Sequence, residues 1–388
     1  MNLLSWSEFE QLNEVADNIA VSIYLPTHVA GAEIQQDPIR LKNLLREAEG
    51  KLQTAEVDDA TINEILSPAF ELLERDRFWQ HQSQGLALYL TKNKMRMYRL
   101  PLDFESSVVV SDRFYLKPLL PLFFDNRYFY ILALSQNQVR LFQSTRYDIS
   151  EVELANVPTS LAEALRYDDP EAQLQFHSAT GGGGQAIYHG QGVSGTDNKV
   201  NIRRFFNEVN DALFTHYLNG ETAPLVVASV EYLQPIYQSV NTYPHLMTDG
   251  VDGNPDVTKP NDLREQAWPI VAHLIEATRQ DAIAQYHELE QTQQASHQVS
   301  QIITAAVRGQ VDTLLLAKDA QVWGQVDAQS GQADVHSDAQ AGDYDLLDLA
   351  AVNTALQGGK VYFLAKDQLP DAAEVAAGIF RYEIPVGV

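Results

Sequence analysis

The chain has no cysteine among its 388 residues. That excludes disulfides, iron–sulfur clusters, thiolate zinc sites and a cysteine nucleophile. It fits a reducing compartment, so a cytoplasmic location is expected. No run of about 18 apolar residues is present, so no membrane-spanning helix and no membrane partner are expected. The opening Met1-Asn2-Leu3-Leu4-Ser5-Trp6-Ser7-Glu8 lacks a basic segment followed by a long apolar one, which argues against a signal peptide. Basic residues are scarce: 27 Lys and Arg stand against 52 Asp and Glu, a net charge of −25. An acidic surface repels phosphates, which argues against DNA and against indiscriminate nucleic-acid binding.

What is present points to a folded chain of more than one domain. Single cores stop growing at roughly 250–300 residues, so this length predicts two or three. No repeat of fixed period is found. Three blocks emerge, with expected domains at 1–125, 126–257 and 258–388. The first should hold a short helix from Ser7 to Asn18, with Ser7 as N-cap and Glu10 at the capping-box spacing. A strand Ile19–Leu25, stopped by Pro26, should follow. Asp37-Pro38 opens a helix whose apolar positions Ile39, Leu41, Leu44, Leu45 and Ala48 recur at helical period. A further helix over Asp59–Asp76 and strands over Gly85–Leu90 and Lys92–Tyr98 complete this block.

In the second block, Tyr128–Leu134 and Val139–Gln143 flank Ser135-Gln136-Asn137-Gln138 as a hairpin. A helix over Lys199–Asn219 leads to Pro224–Ala228, an all-apolar strand of the buried kind. The third block opens near Pro260 with a long polar helix running to about Arg308, perturbed by Pro269 and broken at Gly309-Gln310. Strands are expected at Val311–Ala317, Val322–Val326, Val361–Leu364 and Ile379–Tyr382. Between Asp319 and Asp348 lie seven Asp and no Lys or Arg, the composition of a solvated acidic insertion. The β/α alternation predicts an α/β (α+β) fold of three small layered domains.

Few constellations carry chemistry. The stretch Gly181-Gly182-Gly183-Gly184-Gln185-Ala186-Ile187-Tyr188-His189-Gly190-Gln191-Gly192 lacks the Lys-Ser/Thr of a P-loop and the spacing of a dinucleotide fingerprint. A flexible surface loop is one reading. The other is a Gly-Gly-Gln tip, in which glycines let the backbone approach a target closely and a backbone amide beside Gln185 stabilises an oxyanion. Lys92-Asn93-Lys94-Met95-Arg96-Met97-Tyr98-Arg99 holds four cations in eight positions and no acid. Strand alternation would put Lys92, Lys94, Arg96 and Tyr98 on one face. That face is either a protected edge strand or a phosphate-binding stripe. Lys199, Arg203 and Arg204 are either a solvated helix face or backbone-phosphate contacts. The scattered histidines form no ligand spacing and there is no Gly-x-Ser-x-Gly elbow, so neither a metal, a cofactor nor a serine hydrolase is expected.

The order of hairpin, Gly-Gly-Gln loop after Phe176-His177, basic amphipathic helix and buried strand resembles the middle domain of archaeal and eukaryotic class-1 release factors and Pelota. Tyr24-Leu25-Pro26-Thr27, Gln36–Leu44, Phe78–Gln82 and Val110–Pro121 resemble the first domain of the bacterial members of this superfamily and its junction with the middle one. Gly309–Leu314, Trp323-Gly324 and Ile379–Tyr382 resemble the third domain. The resemblance spans nearly the whole chain, to a bacterial family related to archaeo-eukaryotic release factors that includes a ribosome-hibernation factor. It implies a tRNA-mimicking arrangement of the three domains and a factor that occupies the ribosomal A site against 16S and 23S rRNA. It also implies a translational GTPase such as elongation factor Tu as a partner. Hibernation or rescue of stalled ribosomes, with no enzymatic step, is the implied role. The alternative is peptidyl-tRNA hydrolysis through Gly183-Gly184-Gln185, with Gln185 catalytic. The loop residues Gly183, Gly184, Gln185, His189, Gly190, Gln191 and Gly192 would face the peptidyl-transferase centre, and Lys92, Lys94, Arg96, Arg99, Lys199, Arg203 and Arg204 would bind RNA. Two departures matter. No Asn-Ile-Lys-Ser is found, which argues against codon-specific termination, and Ala-Thr-Gly-Gly replaces the basic residues that usually precede the tip.

Overall fold

The computed structural model describes residues 4–29, 31–92, 94–124, 128–168, 195–327, 330–340, 342–371 and 373–384. The chain parts into two compact units, one made of 1–125 with 278–388 and the other of 126–277. The second division falls inside a helix, where the sequence expectation set it at 257.

The first 125 residues begin with α1 (Trp6–Asn13). Its cap is Ser5, two residues before the expected Ser7. The Ser5 hydroxyl accepts from the Glu8 amide at 3.2 Å, and the Glu8 carboxylate accepts from the Ser5 amide at 2.9 Å. Ser5 has the same capping-box spacing as Ser7, and this register turns Phe9 and Leu12 inward, both fully buried. The helix ends at Asn13, because β1 (Ala16–Pro26) already starts at Ala16.

After α2 (Asp37–Thr54), α3 (Asp59–Phe70) and α4 (Asp76–Trp79) come β2 (Gly85–Thr91), β3 (Lys94–Leu100) and β4 (Ser107–Arg113), then α5 (Pro121–Phe124). The strands form an antiparallel sheet in the order β3-β2-β1-β4. One face packs Val21, Ile23, Leu25, Leu86, Leu88 and Leu90 against Leu41, Leu44, Leu45 and Ala48 of α2 and Ile62, Ile65 and Leu66 of α3. Ile39 departs from the expected apolar stripe and stands 60% exposed. The opposite face is aromatic. Tyr24 and Tyr89 share a buried hydroxyl–hydroxyl hydrogen bond of 2.6 Å.

The middle unit is a layered sheet of β5 (Phe129–Leu134), β6 (Val139–Ser144), β7 (Ile149–Val152), β8 (Leu225–Ser229) and β9 (Val251–Asp252), in the order β7-β6-β5-β8-β9. The hairpin is closed by the Ser135 hydroxyl, which accepts from the amides of Asn137 and Gln138. β8 runs parallel to β5, as its all-apolar sequence predicts for a central strand. After α6 (Leu161–Asp168), α7 (Gly195–Leu213) and α8 (Gln234–Val240) cover one face through Ile202, Phe205, Phe206, Val209 and Tyr237. The first turns of α9 (Pro260–Leu289) cover the other through Leu263, Ala267 and Val271. That packing is why residues 258–277 belong with the middle sheet.

From 278 onward the chain returns to the first unit. α9 stops at Leu289, short of the expected Arg308, and β10 (Ala295–Ser296) and α10 (Val299–Val307) follow. β11 (Val311–Ala317), β12 (Trp323–Val326), β13 (Ala333–His336), β14 (Tyr344–Asp345), α11 (Leu346–Leu356), β15 (Lys360–Leu364) and β16 (Ala376–Phe380) complete it. β10, β16, β11 and β15 form one sheet, on which Ala282 and Tyr286 of α9 pack. The acidic stretch 319–348 is a structured element rather than a loop, although its described residues up to Asp343 stay mostly exposed. It folds into the three-stranded sheet β13-β12-β14 and the start of α11.

Two of its seven aspartates are buried. Asp345 caps α11 by accepting from the Leu347 amide at 3.0 Å, and also accepts from Val322 at 3.1 Å. Its other oxygen accepts from the Lys117 ammonium at 2.6 Å, and that ammonium donates a second bond to the Ala320 carbonyl at 2.7 Å. The Asp348 carboxylate accepts from the backbone amides of Leu116 and Lys117. Burial, and then the neighbouring Asp345 charge, push its pKa up to about 7.

Candidate nucleic-acid interface

The Gly-rich stretch with Gly183, Gly184, Gln185, His189, Gly190, Gln191 and Gly192 lies outside the described residues, as does His177. The cations expected to bind RNA can be placed.

β3 is the edge strand of the first sheet, so its outer backbone is unpaired within that sheet. Lys92 lies before the strand, in the turn, and its ammonium meets the Glu64 carboxylate at 2.9 Å. That hydrogen bond raises the Lys92 pKa and commits the cation to α3. Within β3, Lys94, Arg96 and Tyr98 stand opposite Thr91, Tyr89 and Ala87 of β2. Met95 packs on the helix-covered core, while Met97 is 40% exposed. Arg99 belongs to the Met95 face by alternation and lies over the Phe78 ring, 4.7 Å from its centroid. Glu8 adds negative charge near Arg96 and Tyr98. The stripe of four cations read from the sequence is therefore divided. Lys94 and Arg96 share one exposed face; Lys92 is engaged by Glu64 and Arg99 by Phe78.

In the middle unit, α7 buries Ile202, Phe205, Phe206 and Val209 and turns Lys199, Arg203 and Arg204 outward. Arg204 faces Glu208 one turn on, at 3.5 Å. Lys199 and Arg203 are one turn apart on the exposed side. The hairpin of the same unit borders a concavity of about 720 Å³ lined by Arg140, Glu151, Glu153, Thr159 and Asp256. Three carboxylates and one guanidinium make it a poor seat for phosphate. Among the described residues, no group of three or more His, Asp or Glu is disposed to hold a metal ion, and no helix is long and apolar enough to cross a membrane.

Sequence reasoning missed the buried group Lys117, Asp345 and Asp348. Nothing local marks it, since Lys117 lies more than 220 residues from both aspartates in the chain.

The model of bacterial archaeo-eukaryotic release factor family 7 matches residues 129–273. Those residues run from β5 into α9, so the resemblance drawn from the sequence is shown for the middle of the chain. Among solved structures, archaeal translation termination factor aRF1 is 15% identical, with 96% of each chain covered and a TM-score of 0.23. Dom34 of S. cerevisiae, a translation termination-like factor, is 11% identical over 66% of this chain and 64% of its own, at a TM-score of 0.30. Archaeal Pelota from a model of ribosome-bound Pelota and ABCE1 is 10% identical over 75% and 73%, at 0.37. No curated protein matches. The mixed α/β class expected from the sequence stands, with four separate sheets among the described residues.

Proposed function

We propose that this protein is a cytoplasmic, ribosome-associated translation factor that occupies the A site in hibernation or in rescue of stalled ribosomes. The observation that carries this reading is the family match over residues 129–273, within which the sequence holds Gly183-Gly184-Gln185. In mechanism it is a binder by shape that mimics tRNA through three segments, 1–125, 126–277 and 278–388, of which the first and last share one compact unit. The first faces small-subunit RNA, with Lys94 and Arg96 as its exposed edge-strand cations. The loop 183–192 extends toward the large-subunit catalytic centre, with Lys199 and Arg203 on the helix that follows contacting backbone phosphates. The last domain meets a translational GTPase of the elongation factor Tu kind. A chain of net −25 binds by placed cations in one site rather than by bulk charge.

Purified protein should co-sediment with vacant ribosomes and be released as salt rises. No binding at low salt refutes the ribosomal reading.

The tripeptide itself favours a second reading, hydrolysis of peptidyl-tRNA. Release of peptide from loaded ribosomes by the wild type, abolished in Gln185→Ala, would establish it. A wild type that binds without releasing peptide leaves the non-enzymatic role.

A further inference from the structure

The exposed face of α2 carries a second set of cations. From Pro38 to Arg46 the sequence holds Arg40, Lys42 and Arg46 and no acid. The acid of the first turn, Asp37, contributes nothing to the surface. It is fully buried, and its carboxylate accepts from the His28 amide at 2.9 Å and contacts the His28 ring nitrogen at 2.8 Å and the Arg40 guanidinium at 3.1 Å. Arg40 is thereby neutralised. Lys42, Asn43 and Arg46 stand exposed beside Ile39, at positions that share one helix face. Lys42 and Arg46 form no ion pair among the described residues. Glu47, the residue after Arg46, is engaged by Lys51 at 2.9 Å, an ammonium that also donates to the Val108 carbonyl at 2.7 Å, and Glu49 stands three residues beyond Arg46.

This arrangement opposes the stability of the helix. Like charges four residues apart on a helix repel. The packing of α2 gains nothing from either side chain, because the buried stripe is Leu41, Leu44, Leu45, Ala48 and Leu52. An external polyanion removes the repulsion. The two cations are separated by about 6 Å along the axis, a span that neighbouring phosphates of one strand can bridge, with the Asn43 amide between them as a donor to phosphate or sugar.

We propose that the Lys42–Asn43–Arg46 face of α2 is a contact for the sugar–phosphate backbone of RNA. The identity of that RNA as ribosomal rests on the function proposed above. α7 repeats the device: Lys199 and Arg203 are also exposed one turn apart.

The test compares wild type with Lys42→Gln/Arg46→Gln on vacant ribosomes across a salt titration. A second double variant, Lys360→Gln/Lys366→Gln, makes the same change in net charge at exposed positions elsewhere. Each phosphate contact adds about 0.7–0.9 to the log–log salt slope, so the α2 variant should lose about 1.5 from it. Between 50 and 200 mM salt the wild type should therefore weaken about tenfold more than the α2 variant. If the wild type binds and the α2 variant keeps its affinity and slope, or if both double variants weaken equally, the α2 contact is refuted while the ribosomal role stands. If the wild type does not bind ribosomes, the ribosomal role fails, and an A-form RNA duplex becomes the probe. Binding lost in the α2 variant alone supports the contact, and absence of wild-type binding refutes it.

Discussion

Lys117→Met isolates the buried ion pair that ties the first 125 residues to the last hundred. Lys117 and Asp345 are each 3% exposed, with their charged atoms 2.6 Å apart. Methionine keeps most of the aliphatic stem and removes the charge. It leaves the Asp345 carboxylate buried without its cation, a change that costs about 3–5 kcal/mol. For a unit this large, each kcal/mol lowers Tm by about 2–4 °C, so the expected drop is roughly 6–20 °C. Differential scanning calorimetry of the full chain reads it as a shift in the transition of this unit, with that of residues 126–277 unmoved. Lys117→Met/Asp345→Asn supplies the control. The asparagine oxygen still accepts from Leu347 and Val322, so the helix cap survives while the orphan charge is gone. The double variant should therefore be more stable than the single one by at least about 2 kcal/mol. A single variant costing under about 1 kcal/mol, or a double variant no better than the single, refutes a desolvated pair at this junction.

Asp348 has its pKa raised to about 7, so the folded state holds a proton that the unfolded state releases near the ordinary carboxylate value. Its contribution to stability is full at low pH and is lost as pH rises toward 7. Asp348→Asn should abolish that slope in urea midpoints measured from pH 5 to 8. Gly85→Ala places a Cβ against the Leu102 carbonyl oxygen and the Phe104 ring. A loss of about 1–3 kcal/mol or more is expected in chemical denaturation, and an unchanged midpoint would contradict the close approach. Ser5→Ala opens the capping box of α1 and should cost about 0.5–2 kcal/mol. Ser7→Ala should not.

The sequence was most legible where one face of an element decides its place. The apolar positions of α2 and the all-apolar β8 are of this kind, and so is the hairpin, whose turn residue Ser135 caps its own backbone. Legibility failed where the deciding partner is distant. The aspartates between 319 and 348 look solvated by composition. Asp345 and Asp348 turn inward because an ammonium and two amides arrive from residues 116 and 117. The end of α9 at Leu289 has no glycine or proline to announce it, and the break falls where β10 pairs with β16. Lys92 and Arg99 read as one stripe with Lys94 and Arg96 until Glu64 and Phe78 claim them. The candidate loop at 183–192 rests on sequence alone.

The first unit is assembled from segments on either side of the middle one, in a chain that is synthesised in one direction. When residue 277 has been made, the middle sheet has all its strands and both covering layers. The α2–α3 core of the first segment is likewise complete in itself. The ammonium of Lys117 and the amides of Leu116 and Lys117, by contrast, wait in water until Asp345 and Asp348 emerge, more than 220 residues later. Closure of the first unit therefore follows completion of the middle one, and it joins a lone cation to a pair of acids.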